Sequence, residues 1–184
     1  MRLGVDQSRQ AAASAGFIAI VAAAAIVTAL IFQYGLGYAP CALCLIERWP
    51  YYVGIPLAVV VAVLAARHAP PRVVTIGLGL LAIDFLVGFG LGAYHAGVEW
   101  KLWAGPTACT AGAAQIGGNL LESLKHTRIV PCDAATWRFL GLSFAGWNAV
   151  ISIVLGLFAL SVFHRRKEPA SPARRDPTVA MKSR

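Results

Sequence analysis

Two cysteines separated by two residues, Cys41 and Cys44, stand at the edge of an apolar segment. Such a pair can close a small, strained disulfide and exchange electrons through it. Its loop is too short to stabilise a fold much through chain entropy, which disfavours a purely structural role. Redox chemistry and metal binding both stay open. Redox is favoured, because a zinc ribbon needs a second close pair.

The other two cysteines, Cys109 and Cys132, lie together in a later connecting segment and make the second plausible pair. A disulfide between them could simply staple that segment, which would stabilise the fold by about 3 kcal/mol. A structural role therefore suits this pair better than it suits the C-x-x-C motif.

Arg48 follows Cys44 by four residues, so the two side chains share one face if a helix begins at the motif. A fixed cation and a helix N-terminus both favour a thiolate over a thiol. Alternatively, Arg48 anchors the helix among lipid headgroups beside Glu47. The neighbouring C-x-x-C motif favours the first role.

Four apolar runs must position these residues, and each can cross a bilayer, which takes about 20 residues. They are Ala11 to Phe32, Tyr51 to Ala66, Val73 to Tyr94 and Leu142 to Phe163. The second reaches that length only if its helix starts near Cys44. The first exceeds the apolar core of a signal peptide, which favours an uncleaved helix.

Composition agrees, with 58% hydrophobic and 13% charged residues and a mean hydropathy of +0.67. We therefore predict an all-α membrane protein, a four-transmembrane-helix bundle with two outer loops. Residues 1–166 would form the redox domain and residues 167–184 a basic, disordered cytoplasmic tail.

Positive charge is concentrated in the N-terminus, the second connection and the tail, which the positive-inside rule makes cytoplasmic. Their basic residues are Arg2, Arg9, Arg67, Arg72, Arg165, Arg166, Lys167, Arg174, Arg175, Lys182 and Arg184. All four cysteines then lie on the non-cytoplasmic side, where disulfides persist. The net charge of +8 thus orients the protein and does not indicate nucleic-acid binding.

The third run carries features that bear on packing. Gly88 and Gly92 form a G-x-x-x-G pair, which allows close helix approach and favours packing within the bundle over dimerisation. Asp84 lies near the middle of the run and should face the bundle interior, with Thr28 or Asn148 as possible partners.

Aromatic residues near the outer interface are typical helix anchors, with lining of a ligand groove as the alternative for one or two. They are Trp49, Tyr51, Tyr52, Trp100, Trp103, Trp137, Phe139 and Trp147. Residues 115–124 could form an amphipathic segment on the membrane surface.

A membrane dithiol that makes disulfides must pass two electrons onward. The sequence has no nucleotide or flavin fingerprint, and its histidines fall at or beyond the predicted helix ends, which disfavours haem. A lipid-soluble quinone is the acceptor left by elimination. His95 and Glu99, at the outer end of the third run, are candidates for handling its protons.

Several segments together resemble the DsbB family of membrane thiol–quinone oxidoreductases. They are the C-x-x-C followed by Glu47-Arg48, the segment Tyr94 to Trp100 leading to Gly105-Pro106-Thr107-Ala108-Cys109, and Pro131-Cys132 leading to Trp137 to Ser143. The resemblance covers nearly the whole chain except its two tails.

The resemblance implies a periplasmic electron route in a bacterial inner-membrane protein. A soluble DsbA-like thioredoxin-fold oxidase would form a mixed disulfide with Cys109, and Cys132 would then engage Cys41. Cys44 would be left as the thiolate that reacts with ubiquinone or menaquinone. Arg48 would stabilise that thiolate and the quinone oxyanion, and His95 would lie near the quinone.

The stretch between Cys109 and Cys132 is more compact than in the best-known enteric members, which leaves a general or a dedicated partner open. Two other hypotheses also stay open. One is a membrane metal-binding or metal-transfer protein that uses the four cysteines, although we assign no metal site. The other is a purely structural bundle with stapled loops.

Overall fold

Four apolar helical segments dominate the computed structural model, which describes residues 2–106, 128–129, 131–135 and 137–167. The helices are α1 (Arg2–Leu30), α2 (Ala42–Ile46), α3 (Trp49–Ala66), α4 (Pro71–Glu99) and α5 (Phe144–Lys167). The segments long and apolar enough to cross a membrane are Val5–Gly35, Ala42–Ala66, Pro71–Glu99 and Phe144–Lys167. The predicted four-helix membrane architecture is confirmed.

The second spanning segment is interrupted near its outer end. Helix α2 ends at Ile46 and α3 starts at Trp49, with Pro50 in its first turn. Proline has no amide hydrogen to donate to the carbonyl four residues earlier, here that of Ile46, and its ring would clash with that carbonyl. As predicted, the segment reaches spanning length by starting beside the cysteines. Cys44 and Arg48, however, lie on opposite sides of the interruption rather than on one continuous helix.

The bundle core lies between the spanning helices. α4 packs most extensively against α5, α1 packs against α3, and α3 also packs against α4. Phe85, Ile18, Leu78 and Leu155 are fully buried in this core. The close approach of α4 to α5 depends on glycine, because a Cβ added at Gly92 would lie only 2.8 Å from a backbone nitrogen of α5. The in-chain role predicted for the G-x-x-x-G pair agrees with this packing.

Short strands connect the outer segments. β1 (Tyr38–Ala39) pairs in parallel with β2 (Arg128–Ile129), and β3 (Arg138–Phe139) pairs antiparallel with β4 (Leu142–Ser143). α1 continues through a π-helical turn, Ile31–Gly35, that leads to β1. The predicted surface segment 115–124 and the tail beyond Lys167 lie outside the described residues.

Candidate functional site

The C-x-x-C motif wraps the start of α2. Cys41 is the N-cap residue, and its sulfur accepts a hydrogen bond from the backbone N–H of Cys44 at 3.1 Å. The two sulfurs are 2.6 Å apart, and both cysteines are free thiols. The first turn of the helix therefore holds the two reactive atoms together, and only a small movement separates this dithiol from a disulfide.

Cys41 is the thiol whose surroundings favour ionisation. The hydrogen bond from the Cys44 thiol, together with those from His95 and the Cys44 amide, lowers the pKa of Cys41 to about 5, although burial opposes the shift. The family resemblance implies that Cys44 is the reactive thiolate after Cys41 has entered a mixed disulfide. In the free dithiol described here, the stabilised thiolate is Cys41.

The two cysteines face different surroundings. Cys41 is 7% exposed and packs in a small cluster with Leu43, Val98 and Cys132. Cys44 touches that cluster and also lines a cavity of about 520 Å³, which Cys41 does not line. One sulfur is thus turned towards the second cysteine pair and the other towards an open space.

Cys132 reaches Cys41 through the strand pairing. The register places Tyr38 opposite Arg128 and Ala39 opposite Ile129. The two strands therefore run in the same direction, β1 towards Cys41 and β2 towards Cys132. Cys132 is 1% exposed and is disulfide-bonded. Cys109, the predicted entry point for electrons, lies outside the described residues.

An exposed ion pair links the segment that carries Cys132 to the end of α4. The Lys101 ammonium, just beyond α4, donates to the carboxylate of Asp133 at 2.6 Å. This contact lowers the pKa of Asp133. Because both side chains are well exposed, the pair contributes little stability, but it joins the residue after Cys132 to the end of α4.

His95 is the centre of a polar chain that joins the cysteines to the bundle interior. Its Nε2 lies 3.9 Å from the Cys41 sulfur, and its Nδ1 lies 2.6 Å from Oε1 of Glu47. The Asn148 amide donates to the other oxygen of Glu47 at 3.1 Å, and the Tyr51 hydroxyl donates to Asn148 at 2.6 Å. Ser152 lies 3.3 Å from that hydroxyl. Buried polar groups need such partners, and here they also fix the imidazole.

Arg48 lies in the same cavity and is held by a residue of the first spanning segment. Its guanidinium donates to the side-chain oxygen of Gln33 at 2.6 Å, and Arg48 is 9% exposed. Gln33, Cys44 and Arg48 all line the cavity. The cation therefore faces the open space beside Cys44, with its orientation set from the π-helical turn.

The cavity walls combine aromatic rings, aliphatic side chains and a few polar groups. The ring of Phe144 lies 4.7 Å from that of Phe32 and 4.9 Å from that of Trp137, between centroids. Glu99 also lines the space, and its buried Oε2 has no hydrogen-bond partner among the described residues. Aromatic anchors that typically hold a helix at the interface thus also form part of a cavity wall.

The roles of some of these groups in the site could not be assigned from sequence. Glu47, Gln33, Asn148 and Tyr51 join the site through contacts with residues 15 to 101 positions away. The one local signal was a carboxylate next to Arg48. Asp84 does not line the cavity. Its buried Oδ2 has no hydrogen-bond partner among the described residues.

The two residues predicted as partners of Asp84 make other contacts. Thr28 donates to the carbonyl of Ala24, and Asn148 bonds Glu47 and Tyr51.

Comparison with known proteins gives a consistent result. The family profile described as "Disulfide bond formation protein DsbB" matches residues 11–162. "Disulfide bond formation protein B" of Marinobacter nauticus is 31% identical over 156 residues, covering 79% of this chain and 89% of that protein. The protein of the same name from Azoarcus sp. is 30% identical over 162 residues, covering 82% and 92%. The one from Verminephrobacter eiseniae is 29% identical over 156 residues, covering 80% and 83%. No solved structure gives a significant match.

Proposed function

Since the chain belongs to the DsbB family and is a disulfide-forming multi-pass membrane oxidoreductase, we propose that it reoxidises a DsbA-like protein with quinone. The partner is a soluble thioredoxin-fold oxidase on the periplasmic side. Two electrons and two protons leave the partner's dithiol, which becomes a disulfide. The same two electrons and two protons convert a quinone to a quinol, so the reaction balances without another reagent.

The observation that carries the proposal is the division of surroundings between Cys41 and Cys44. Cys41 packs against Cys132, whereas Cys44 lines an apolar cavity that also contains a buried arginine. A relay between a protein thiol and a lipid-soluble acceptor needs one sulfur that faces the protein thiol and a second sulfur that faces the acceptor. A stapling disulfide would need neither arrangement.

The proposed thiol relay has two exchange steps. A partner thiolate attacks Cys109 of the Cys109–Cys132 disulfide, which releases Cys132. The Cys132 thiolate then attacks Cys41 of an oxidised Cys41–Cys44 pair, so that the bond between those two breaks and Cys44 leaves as a thiolate. The packing of Cys132 with Cys41 supports this order of transfer.

The partner's second thiolate attacks the partner–Cys109 disulfide, which completes the partner's own disulfide and releases Cys109. The Cys109 thiolate then attacks Cys132 of the Cys132–Cys41 disulfide, so that Cys109–Cys132 re-forms and Cys41 leaves as a thiolate. Cys41 and Cys44 then re-form their bond with loss of two electrons.

The cavity fits a quinone headgroup. Its stacked rings suit a flat conjugated ligand. The Arg48 cation and the Glu99 oxygen that has no partner among the described residues supply polar contacts. A bound quinone supplies a two-electron, two-proton acceptor. Arg48 would stabilise negative charge that develops on the quinone. The His95–Glu47 pair holds a proton beside the cysteines. His95 and Glu47 both line the cavity.

The experiment is quinone-dependent oxidation of a reduced DsbA-like protein by the purified chain, followed by loss of quinone absorbance and by trapping of free thiols. We expect one quinone consumed per partner disulfide formed. Cys44→Ser should abolish quinone consumption while leaving the fold intact. Partner oxidation at an unchanged rate without quinone, or normal turnover by Cys44→Ser, would contradict the proposal.

A further inference from the structure

We propose that the reduced Cys41 and Cys44 sulfurs and Nε2 of His95 form a three-ligand site for a thiophilic divalent cation such as zinc. The three ligand atoms all lie within 4.8 Å of one another. Thiolate and imidazole are the donors that zinc prefers. The sequence pairs only the two cysteines, and the fold supplies the third ligand from 51 residues beyond Cys44, counted along the chain.

The distances are close to those of a tetrahedral site. Zinc–sulfur bonds of about 2.3 Å and a zinc–nitrogen bond of about 2.0 Å hold a sulfur and a nitrogen about 3.6 Å apart and two sulfurs about 3.8 Å apart. The Cys41 sulfur is 3.9 Å from Nε2 of His95 and 2.6 Å from the Cys44 sulfur. The Cys44 sulfur must move by about 1 Å, and the cavity beside it gives the space.

The surroundings of His95 supply the independent support. Metal-bound histidines usually donate their second ring N–H to a carboxylate or carbonyl, which fixes the ring and its tautomer. Glu47 lies 2.6 Å from Nδ1, so Nε2 is the nitrogen turned towards the sulfurs. The Asn148 amide holds the second oxygen of Glu47. His95 and Glu47 are both buried, so this orientation is rigid.

Three protein ligands leave the fourth position open on the cavity side, as in zinc sites that keep a water or substrate. The site exists only while Cys41 and Cys44 are both reduced, because a sulfur in a disulfide is not a thiolate ligand. Bound metal would therefore trap the dithiol and stop its conversion to a disulfide. Metal binding itself requires neither a quinone nor a partner protein, so it can be tested apart from the proposed function.

The binding test uses cobalt(II) as a spectroscopic substitute for zinc in the reduced, metal-free full chain in detergent. To remove the other two thiols, the background carries Cys109→Ser and Cys132→Ser. We expect one equivalent of cobalt with thiolate charge-transfer bands, displaced by zinc. Cys41→Ser, Cys44→Ser and His95→Ala should each lose these bands. His68→Ala, in the connection between α3 and α4, should keep them.

The variant Glu47→Gln tests whether Glu47 orients the His95 ring, in a protein that still folds. It should keep the bands but weaken the cobalt affinity about 10- to 100-fold, the usual effect of removing a carboxylate partner from a metal-bound histidine. Unchanged bands in His95→Ala, or no bands in the parent protein, would overturn the three-ligand site.

A second measurement uses the wild-type cysteines and so does not depend on variants folding. Zinc should protect Cys41 and Cys44 from alkylation in the reduced chain, and a chelator should restore it. Zinc should also prevent quinone from re-forming the Cys41–Cys44 disulfide. Alkylation of both cysteines at the same rate with and without zinc would refute the proposal, whereas normal zinc binding by a chain that fails to use quinone would refute only the proposed function.

Discussion

At the scale of single residues, the ionisation of Cys41 depends on its hydrogen-bond donors. The Cys44 thiol is the largest of these influences, and together they lower the pKa of Cys41 to about 5. Cys41 in the reduced dithiol should therefore be a thiolate at neutral pH and become a thiol only as the pH falls through about 5. Alkylation rates of Cys41 measured against pH should show this inflection.

The matched variants Cys44→Ser and Cys44→Ala test whether the Cys44 thiol is what lowers the pKa of Cys41. Serine keeps a hydroxyl donor for the Cys41 sulfur and should retain a depressed pKa, whereas alanine removes the donor and should raise it. Equal inflections for the two variants would show that Cys44 is not the main donor, and an inflection near that of a free cysteine in the parent protein would contradict the depressed pKa itself.

Arg48 is the second residue whose role depends on one contact. Because its guanidinium lines the cavity and is held by Gln33, we expect Arg48→Ala to raise KM for quinone and leave KM for the partner protein nearly unchanged. Steady-state kinetics with each substrate varied in turn measures this split. Arg67→Ala, in the connection between α3 and α4, is the matched control and should behave as wild type; an unchanged quinone KM in Arg48→Ala would remove Arg48 from the site.

At the scale of helices, α4 and α5 approach closely through glycine. A Cβ at Gly92 would lie 2.8 Å from the Ala149 nitrogen, whereas a Cβ at Gly90 would meet nothing within 4 Å. Gly92→Ala should therefore destabilise the bundle by about 1–3 kcal/mol, the usual cost of overpacking, and Gly90→Ala should be neutral. Unfolding in detergent measures both, and equal stabilities would show that the α4–α5 contact is looser than described.

The elements also show which features sequence could predict. Apolar length and the G-x-x-x-G pair depend on residues close together in the chain, so the spans and the α4–α5 packing were predictable. The helix break after Ile46 had a local cause in Pro50. The expected shared face of Cys44 and Arg48 required one continuous helix from the motif, which this break prevents. The partners of Arg48 and His95 depend on how distant helices are rotated, which periodicity does not determine.

At the scale of the whole molecule, the two ends of the described chain meet at one end of the bundle. The Arg166 guanidinium near the end of α5 donates to the carbonyl of Gln7 near the start of α1 at 2.8 Å. Four spans place both ends of the chain on one side of the membrane. The connection with Arg67 and Arg72, and the end of α5 with Arg165, lie on that same side. Charge and fold together favour a cytoplasmic location for that side.

Reporter fusions test this orientation. Green fluorescent protein joined after Lys167 should fluoresce and alkaline phosphatase joined there should be inactive, because the phosphatase needs the disulfides that form only outside the cytoplasm. Fusions between Leu102 and Trp103, beyond the outer end of α4, should give the reverse pattern. If the fusions after Lys167 instead report an outer location, the cysteines would face the reducing cytoplasm, where a stable Cys132 disulfide and export of oxidising power would both be disfavoured. The orientation is thus the condition on which the electron route depends.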